Sequence, residues 1–151
     1  NWIKQGLITQ TPGDVIDYAR IFKHIQWLRE WTDIREVASD PWNSTQLCTW
    51  LQDDGFTFVP FRQGFASQNA PTKALLEYVT TGRIAHGGHP VLRWCARNMA
   101  VEQDPAGNLK PSKKKAKEKI DGICAMINAI GRVLAMKTEY NSYDERGIVV
   151  L

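Results

Sequence analysis

The feature of this sequence that most restricts its fold is the alternation of helix-like segments with short strand-like segments. Residues 14–31 repeat apolar side chains at steps of three and four, which predicts a helix, and residues 33–40 follow as a strand. A helix over 44–53 and a strand over 56–60 continue the pattern, and residues 2–9 are interpreted as the end of an earlier strand. Such alternation indicates an α/β fold with helices on the faces of a sheet.

The middle of the chain is predicted to hold a loop and two helices. Residues 63–69 are interpreted as the loop. The next helix is predicted to begin at Pro71, because proline suits a first helical turn, and to end at Gly82 as a left-handed cap. A shorter helix is predicted over 91–98.

The last third is predicted to contain a hairpin, a basic segment and a helix. Residues 99–109, with a turn at 105–108, indicate a β-hairpin. The segment Lys110–Lys119 has six lysines and one glutamate, so it carries +5 while the whole chain carries only +3. The final helix is expected to begin at Asp121 and to end near Met136. Attraction for polyanions is therefore concentrated in one segment.

Composition and missing motifs limit the class of protein. A chain of 151 residues without repeats or an obvious linker is interpreted as a single domain, 1–151. Its apolar stretches are too short and too polar to span a bilayer, and no leader is recognisable, so a cytoplasmic location is expected. Three widely spaced cysteines argue against a disulfide framework or a thiolate zinc site. There is no P-loop, so no ATPase is expected in this chain.

Two carboxylates are the candidate functional residues. Asp40 ends a predicted strand before a Pro-Trp turn, which suggests the rim of the sheet, where α/β folds gather functional groups. Asp121 begins a helix of small and apolar residues that is expected to pack against the sheet, and an acid there needs a backbone amide, a lysine or a divalent cation as its partner. Simpler roles are a turn residue for Asp40 and a helix cap for Asp121, and single-residue arguments favour them.

Hydrolysis of a phosphodiester nevertheless requires groups of these types. Two Mg²⁺ or Mn²⁺ ions about 3.5–4 Å apart clamp the attacking water and the leaving oxygen, and carboxylates hold such ions. A basic segment beside them would hold the nucleic-acid backbone without reading its sequence. The candidate phosphate contacts are Lys113, Lys114, Lys115, Lys117 and Lys119. A solvated surface stretch is the simpler interpretation of these lysines, so the residues alone leave the question open.

An ordered set of short stretches supports the nuclease interpretation. They include Thr11–Gly13, Ala38–Trp42, Gly55–Pro60, Pro71–Lys73, His86–Trp94, Asp104–Asn108, Lys119–Ile123 and the tail from Tyr140 to Gly147. Together they resemble the C-terminal nuclease domain of the tailed-phage terminase large subunit, in the order that the family has them. The resemblance covers residues 1–147.

This resemblance implies an RNase H-like fold, a mixed sheet flanked by helices, in which three acids hold two Mg²⁺ or Mn²⁺ ions. By position, Asp40 resembles the second acid and Asp121 the third, while no residue before Asp40 fits the first. The chain is therefore expected to lack the first strands of the domain and one ligand, so that this fragment cuts DNA poorly or not at all. The sheet edge left exposed would favour self-association.

The resemblance also implies a role and a set of partners. The family cuts concatemeric double-stranded phage DNA during genome packaging, in the cytoplasm of the bacterial host. Expected partners are DNA, the ATPase domain of the same subunit, the small terminase subunit and the portal. Two alternatives stay open: another RNase H-like nuclease of the resolvase or recombinase type, and a non-catalytic DNA-binding assembly module in which the acids serve only structure.

Overall fold

The computed structural model of the chain describes residues 1–42 and 44–144, with side chains up to Met136 except that of Asn43. The part of the tail that lies beyond Asp144 is outside these residues. The chain divides into two compact units, Asn1–Arg62 and Gln63–Leu151, and each unit is considered by itself below.

The first unit contains a small parallel sheet and two helices. Its elements are α1 (Tyr18–Arg29), β1 (Val37–Ser39), α2 (Thr45–Asp53) and β2 (Phe58–Pro60). β1 and β2 pair in parallel with Val37 opposite Phe58, so both predicted strands are present but shorter than expected. The helix α2 matches its prediction and buries Leu51 completely.

The start of the first unit differs from the prediction. The strand expected over residues 2–9 is wrong, because the amides of Gly6 and Leu7 bond back to the carbonyls of Ile3 and Trp2 and form turns. The helix α1 begins at Tyr18, four residues later than predicted. Asp17 is its N-cap, and a carboxylate oxygen of Asp17 accepts a hydrogen bond from the amide of Arg20 at 3.0 Å.

The second unit contains three helices and a hairpin. Its elements are α3 (Phe65–Thr80), α4 (Pro90–Asn98), β3 (Val101–Gln103), β4 (Leu109–Pro111) and α5 (Asp121–Asp144). The strands β3 and β4 pair antiparallel with Val101 opposite Pro111, so the predicted hairpin is confirmed. The predicted helix over 91–98 is also confirmed.

The predicted start of α3 is wrong. Residues 65–69 are helical, and Pro71 lies inside the helix rather than in its first turn. A proline inside a helix removes one helical hydrogen bond. Pro71 nevertheless lies on the buried face of α3, which consists of Gln68, Pro71, Thr72 and Leu75. Packing of that face against α5 and β4 outweighs the local cost of the proline. The predicted end is right, since Gly82 has a φ of +67° and the amide of Arg83 bonds to the carbonyl of Tyr78 at 2.8 Å.

The core of the second unit lies between helices. Leu75 of α3, Cys95 of α4, and Ile123 and Ile127 of α5 form its buried cluster. The expectation that α5 packs against a sheet is therefore wrong, because its apolar face meets α3 and α4. The helix also passes Met136 and reaches Asp144, since no glycine or proline interrupts residues 132–144.

In the part of the chain that the structure describes, these elements make a mixed α/β fold, with one parallel and one antiparallel strand pair beside the helices. All three cysteines are free thiols. Within residues 1–42 and 44–144, no helix is long and apolar enough to cross a membrane.

Candidate metal and nucleic-acid site

Asp121, the first residue of α5, is paired with a lysine of the basic segment. Nζ of Lys113 donates a hydrogen bond to Oδ1 of Asp121 at 2.6 Å. Both side chains are exposed, at 67% for Lys113 and 63% for Asp121, so the carboxylate is not held at a buried edge as expected. Of the three partners considered for this acid, the structure provides the lysine.

The pair changes the acidity of both groups. The hydrogen bond from Lys113 lowers the pKa of Asp121, while partial desolvation opposes this change and the charges of Lys113 and Lys119 support it. The same hydrogen bond raises the pKa of Lys113. The two charged forms therefore stabilise each other, and the carboxylate is held in the ionised state that metal binding requires.

The loop 113–119, which joins β4 to α5, is fixed at both of its ends. Before it, Ser112 is buried, its amide bonds to the carbonyl of Ala100 at 2.9 Å, and its hydroxyl bonds to the carboxylate of Glu102 at 3.1 Å. After it, Ile120 is 1% exposed. The part of the basic segment from Lys113 to Lys119 is thus an irregular turn rather than a helix, and both of its ends are anchored in the second unit.

Asp121 and part of the basic segment line one surface cleft of about 340 Å³. The lining residues are Lys113, Ala116, Lys117, Glu118, Lys119, Ile120 and Asp121. Three of the five lysines predicted to contact nucleic acid therefore lie beside the predicted metal-binding acid. Lys114 and Lys115 are exposed on the same loop but do not line the cleft.

Four of the predicted lysines carry charge that no ion pair neutralises. In the described part of the chain, no carboxylate lies within 4.0 Å of Lys114, Lys115, Lys117 or Lys119. Lys110 differs from them, because its Nζ lies 3.1 Å from Glu102 and 4.8 Å from the centre of the Phe65 ring. The charge of Lys110 is therefore balanced by Glu102, as that of Lys113 is by Asp121.

Glu118 also lines the cleft, and sequence reasoning missed it. In the sequence it stands as a single acid among six lysines and contributes only to the charge count. No periodicity of a helix or strand relates it to Asp121, because an irregular loop separates them. Its position in an otherwise basic stretch is the only available signal.

A polar network fixes the hairpin that carries the loop. The carboxylate of Asp104 accepts hydrogen bonds from the amide and the side chain of Asn108, both at 2.8 Å, and these bonds lower the pKa of Asp104. Asn69 of α3 bonds to the side chain of Asn108 and accepts from the amide of Leu109, both at 2.9 Å. The network ties the hairpin to α3, which packs against α5.

Asp40 lies where the sequence predicts, at the carboxyl end of β1. It is half-buried, and its Oδ1 accepts a hydrogen bond from the amide of Trp42 at 3.1 Å. The hydroxyl of Ser44 donates to the backbone carbonyl of Asp40 at 2.6 Å. This is the geometry of a turn residue that bonds its own backbone. Asp40 belongs to the first unit, and Asp121 to the second.

The ligand chemistry of both acids fits a hard divalent cation. Carboxylate oxygens are the ligands that Mg²⁺ and Mn²⁺ prefer, and Asp121 already holds a cationic group. Among residues 1–42 and 44–144, no three or more histidine, cysteine, aspartate or glutamate side chains form a group able to hold a metal ion. The sequence-predicted acids are thus Asp40 in the first unit and Asp121 in the second.

Comparison with known proteins relates this arrangement to a family. The sequence model of the terminase large subunit endonuclease domain matches residues 1–137. The chain belongs to this family. The terminase large subunit of Enterobacteria phage HK97 is 35% identical over 140 residues, which cover 91% of this chain and 28% of that protein. Protein YmfN of Escherichia coli (strain K12) is 31% identical over 140 residues, 91% of this chain and 31% of that protein.

Solved structures of terminases share the fold of this family member. The crystal structure of the HK97 bacteriophage large terminase superimposes with a TM-score of 0.80 at 35% identity, over 87% of this chain and 28% of that one. The large terminase nuclease from thermophilic phage G20c gives a TM-score of 0.62 at 14% identity, over 78% of this chain and 63% of that one. The RNase H-like fold of terminase nucleases is therefore confirmed. The chain spans less than a third of the length of the curated relatives that it matches.

Proposed function

We propose that this chain provides the metal-dependent endonuclease activity of a terminase large subunit, with double-stranded DNA as its substrate. The observation that carries the proposal is the cleft of the second unit, in a member of the terminase endonuclease family. There an ionised acid at the start of a helix lies beside three lysines on a loop that is fixed at both ends. An acid and a cationic surface together are what hydrolysis of a polyanionic backbone requires.

In this proposal the two acids have the same role. Asp40 and Asp121 are metal ligands, and two bound Mg²⁺ or Mn²⁺ ions supply Lewis-acid activation of water and stabilisation of the leaving oxygen. The turn around Asp40 orients its carboxylate before a cation binds, and the contact with Lys113 keeps the carboxylate of Asp121 ionised. The preference for hard oxygen ligands supports the assignment of Mg²⁺ or Mn²⁺.

The lysines hold the substrate. Lys113, Lys117 and Lys119 face the cleft, and Lys114 and Lys115 extend the basic surface outside it. Ammonium groups on flexible stems bind phosphates as point charges, so they give affinity without base recognition. We therefore infer cutting with little sequence preference.

The biological setting is proposed from the family. The substrate would be concatemeric phage DNA cut during genome packaging, in the cytoplasm of the bacterial host. The partners would be the ATPase domain of the same subunit, the small terminase subunit, the portal and a second copy of this fragment. Family membership favours this setting over the resolvase or recombinase alternative.

A second function is favoured by one observation. Both acids already have hydrogen-bond partners within the protein, Trp42 for Asp40 and Lys113 for Asp121. In a non-catalytic DNA-binding module, the two acids would only stabilise local structure through these hydrogen bonds. The lysines alone would then matter for function.

Cleavage assays separate the candidates. The purified chain and the complete terminase subunit are each incubated with linear duplex DNA, a four-way junction and an RNA–DNA hybrid, in Mg²⁺, in Mn²⁺ and in a chelator. The proposal expects cation-dependent cutting of linear duplex by the complete subunit, and little or no cutting by this chain alone, for which only two of the three expected acids are assigned. Asp121→Asn in the complete subunit should reduce cutting by at least about 100-fold, on the scale of an essential electrostatic group. Preferential cutting of junctions would support a resolvase. The binding module would be supported by two results together. A chelator would leave DNA binding unchanged, and neither the chain nor the complete subunit would cut DNA.

A further inference from the structure

The contact between Lys113 and Asp121 differs from an ordinary surface ion pair in how it is built. The two residues are eight positions apart, and the loop between them is irregular. The buried residues Ser112 and Ile120 fix both ends of that loop, so the fold holds the backbone that carries Lys113 close to Asp121. An ion pair between freely moving chains would lack this restraint.

The ammonium group occupies the oxygen that a cation would use. Nζ of Lys113 lies 2.6 Å from Oδ1 of Asp121, and a Mg²⁺ ion bound to the same oxygen would lie at about 2.0–2.1 Å. Two positive groups at these distances from one carboxylate oxygen repel each other. Binding of a cation at Oδ1 is therefore favoured when the lysine moves away.

We propose that Lys113 is an internal counter-ion of Asp121, which a divalent cation displaces, and that the displaced lysine then joins the phosphate-binding surface. This inference rests on the proposed role of Asp121 as a metal ligand. It adds a regulatory role for Lys113, because the lysine weakens cation binding when DNA is absent. Lys117 and Lys119 line the same cleft. The displaced ammonium group of Lys113 can therefore bind phosphate together with these two lysines.

The displacement couples the binding of cation and DNA. A phosphate that attracts Lys113 away from Asp121 leaves the carboxylate available to the cation, and a cation that displaces Lys113 adds one contact to the phosphates. Each ligand thus strengthens the binding of the other, as linkage requires. The domain would hold its cation tightly only where DNA is present, which limits cutting to bound substrate.

The first test measures cation affinity without DNA. Mn²⁺ is titrated by calorimetry into the full chain, Lys113→Gln, Lys113→Arg, Lys117→Gln and Asp121→Asn. Lys113→Gln should bind Mn²⁺ roughly twofold to fivefold more tightly than the wild type, a change of the size expected for an exposed ion pair. Lys113→Arg should retain wild-type affinity. Lys117→Gln, which removes the same charge from the same cleft, should have a smaller effect than Lys113→Gln.

The outcomes distinguish this inference from the proposed function. If Asp121→Asn leaves the affinity for Mn²⁺ unchanged, the proposed metal site is wrong and the inference falls with it. If Asp121→Asn abolishes binding while Lys113→Gln and Lys117→Gln behave alike, the metal site stands and the counter-ion role of Lys113 is overturned.

The second test measures the released lysine. Binding of duplex DNA to the full chain is followed over a series of salt concentrations, with and without Ca²⁺, which takes oxygen ligands as Mg²⁺ does. The slope of log affinity against log salt concentration is compared with and without Ca²⁺ in each protein. In the wild type, Ca²⁺ should make this slope steeper by about 0.9 more than it does in Lys113→Gln, because one further phosphate contact changes the slope by about that amount. Equal changes in both proteins would overturn the coupling.

Discussion

Nζ of Lys113 lies 2.6 Å from Oδ1 of Asp121, which joins the basic loop to the first turn of α5. Both side chains are more than 60% exposed, and an exposed ion pair contributes only about 0–1 kcal/mol to folding. The contact therefore has little value for stability. Its effect is on the charge and availability of the carboxylate, which makes it relevant to cation binding.

Removal of Lys113 should make Asp121 a weaker acid. The lysine is the largest cause of the lowered pKa of Asp121, so Lys113→Gln should raise that pKa toward the ordinary value for aspartate. Carbon-13 NMR of the carboxyl groups during an acid titration measures the change. Lys119→Gln is the control, because Lys119 acts on Asp121 only through a weaker charge effect. Equal pKa values in the wild type and Lys113→Gln would contradict the structure.

The hairpin should lose stability in acid through Glu102. Hydrogen bonds from Lys110 and Ser112 lower the pKa of Glu102 in the folded state. Its contribution is therefore complete above the unfolded pKa and is lost as the pH falls through the lower folded pKa. In Lys110→Met, the free energy of unfolding should fall less steeply with pH below about 4.3, the ordinary value for glutamate. Urea unfolding between pH 5.5 and pH 3 measures this slope, and parallel curves for the two proteins would argue against the contact.

The end of α3 should depend on the conformation of Gly82. This residue has a φ of +67°, and a Cβ atom built there meets no atom within 4 Å, so only backbone strain opposes a side chain. Gly82→Ala should lower the free energy of unfolding by about 1–2 kcal/mol. Gly82→Asn should cost less, because asparagine tolerates the left-handed region. Denaturant unfolding compares the two variants, and equal costs would refute this account of the cap.

The second unit should depend strongly on Ile127. This side chain is 0% exposed and belongs to the cluster between α3, α4 and α5. Ile127→Ala should lower the free energy of unfolding by about 2–5 kcal/mol through lost burial and a cavity. Val133→Ala on the same helix is the control, since Val133 is 49% exposed and its truncation should change stability by less than about 0.5 kcal/mol. A small effect at Ile127 would mean that α5 packs differently.

Local signals in the sequence predicted some elements well. The sequence predicts both the helix cap at Gly82 and the hairpin turn at 105–108, because each depends on the conformational preferences of a few neighbouring residues. Pro71 was misleading for the opposite reason. The local preference of proline indicates a helix start at Pro71. The helix nevertheless continues on both sides of Pro71, because Gln68, Thr72 and Leu75 are buried on the same face.

The site was only partly predictable for a similar reason. Asp40 follows a strand in both sequence and structure, so its place at the end of β1 was foreseeable. The contact between Lys113 and Asp121 was not, because an irregular loop separates the two residues and no helix or strand period relates them. That loop is fixed by the burial of Ser112 and Ile120, which depends on the packed second unit. Asp40 and Asp121 as metal ligands remain a prediction.

Titration of Mn²⁺ into the wild type, Asp40→Asn and Asp121→Asn tests the central claim most directly. Asp53→Asn is the matched control, because Asp53 is an exposed acid at the end of α2 to which we assign no role. Each of the first two variants should weaken Mn²⁺ binding by at least about tenfold, which corresponds to 1.4 kcal/mol, and Asp53→Asn should bind as the wild type does. Unchanged binding in both Asp40→Asn and Asp121→Asn would contradict the metal site.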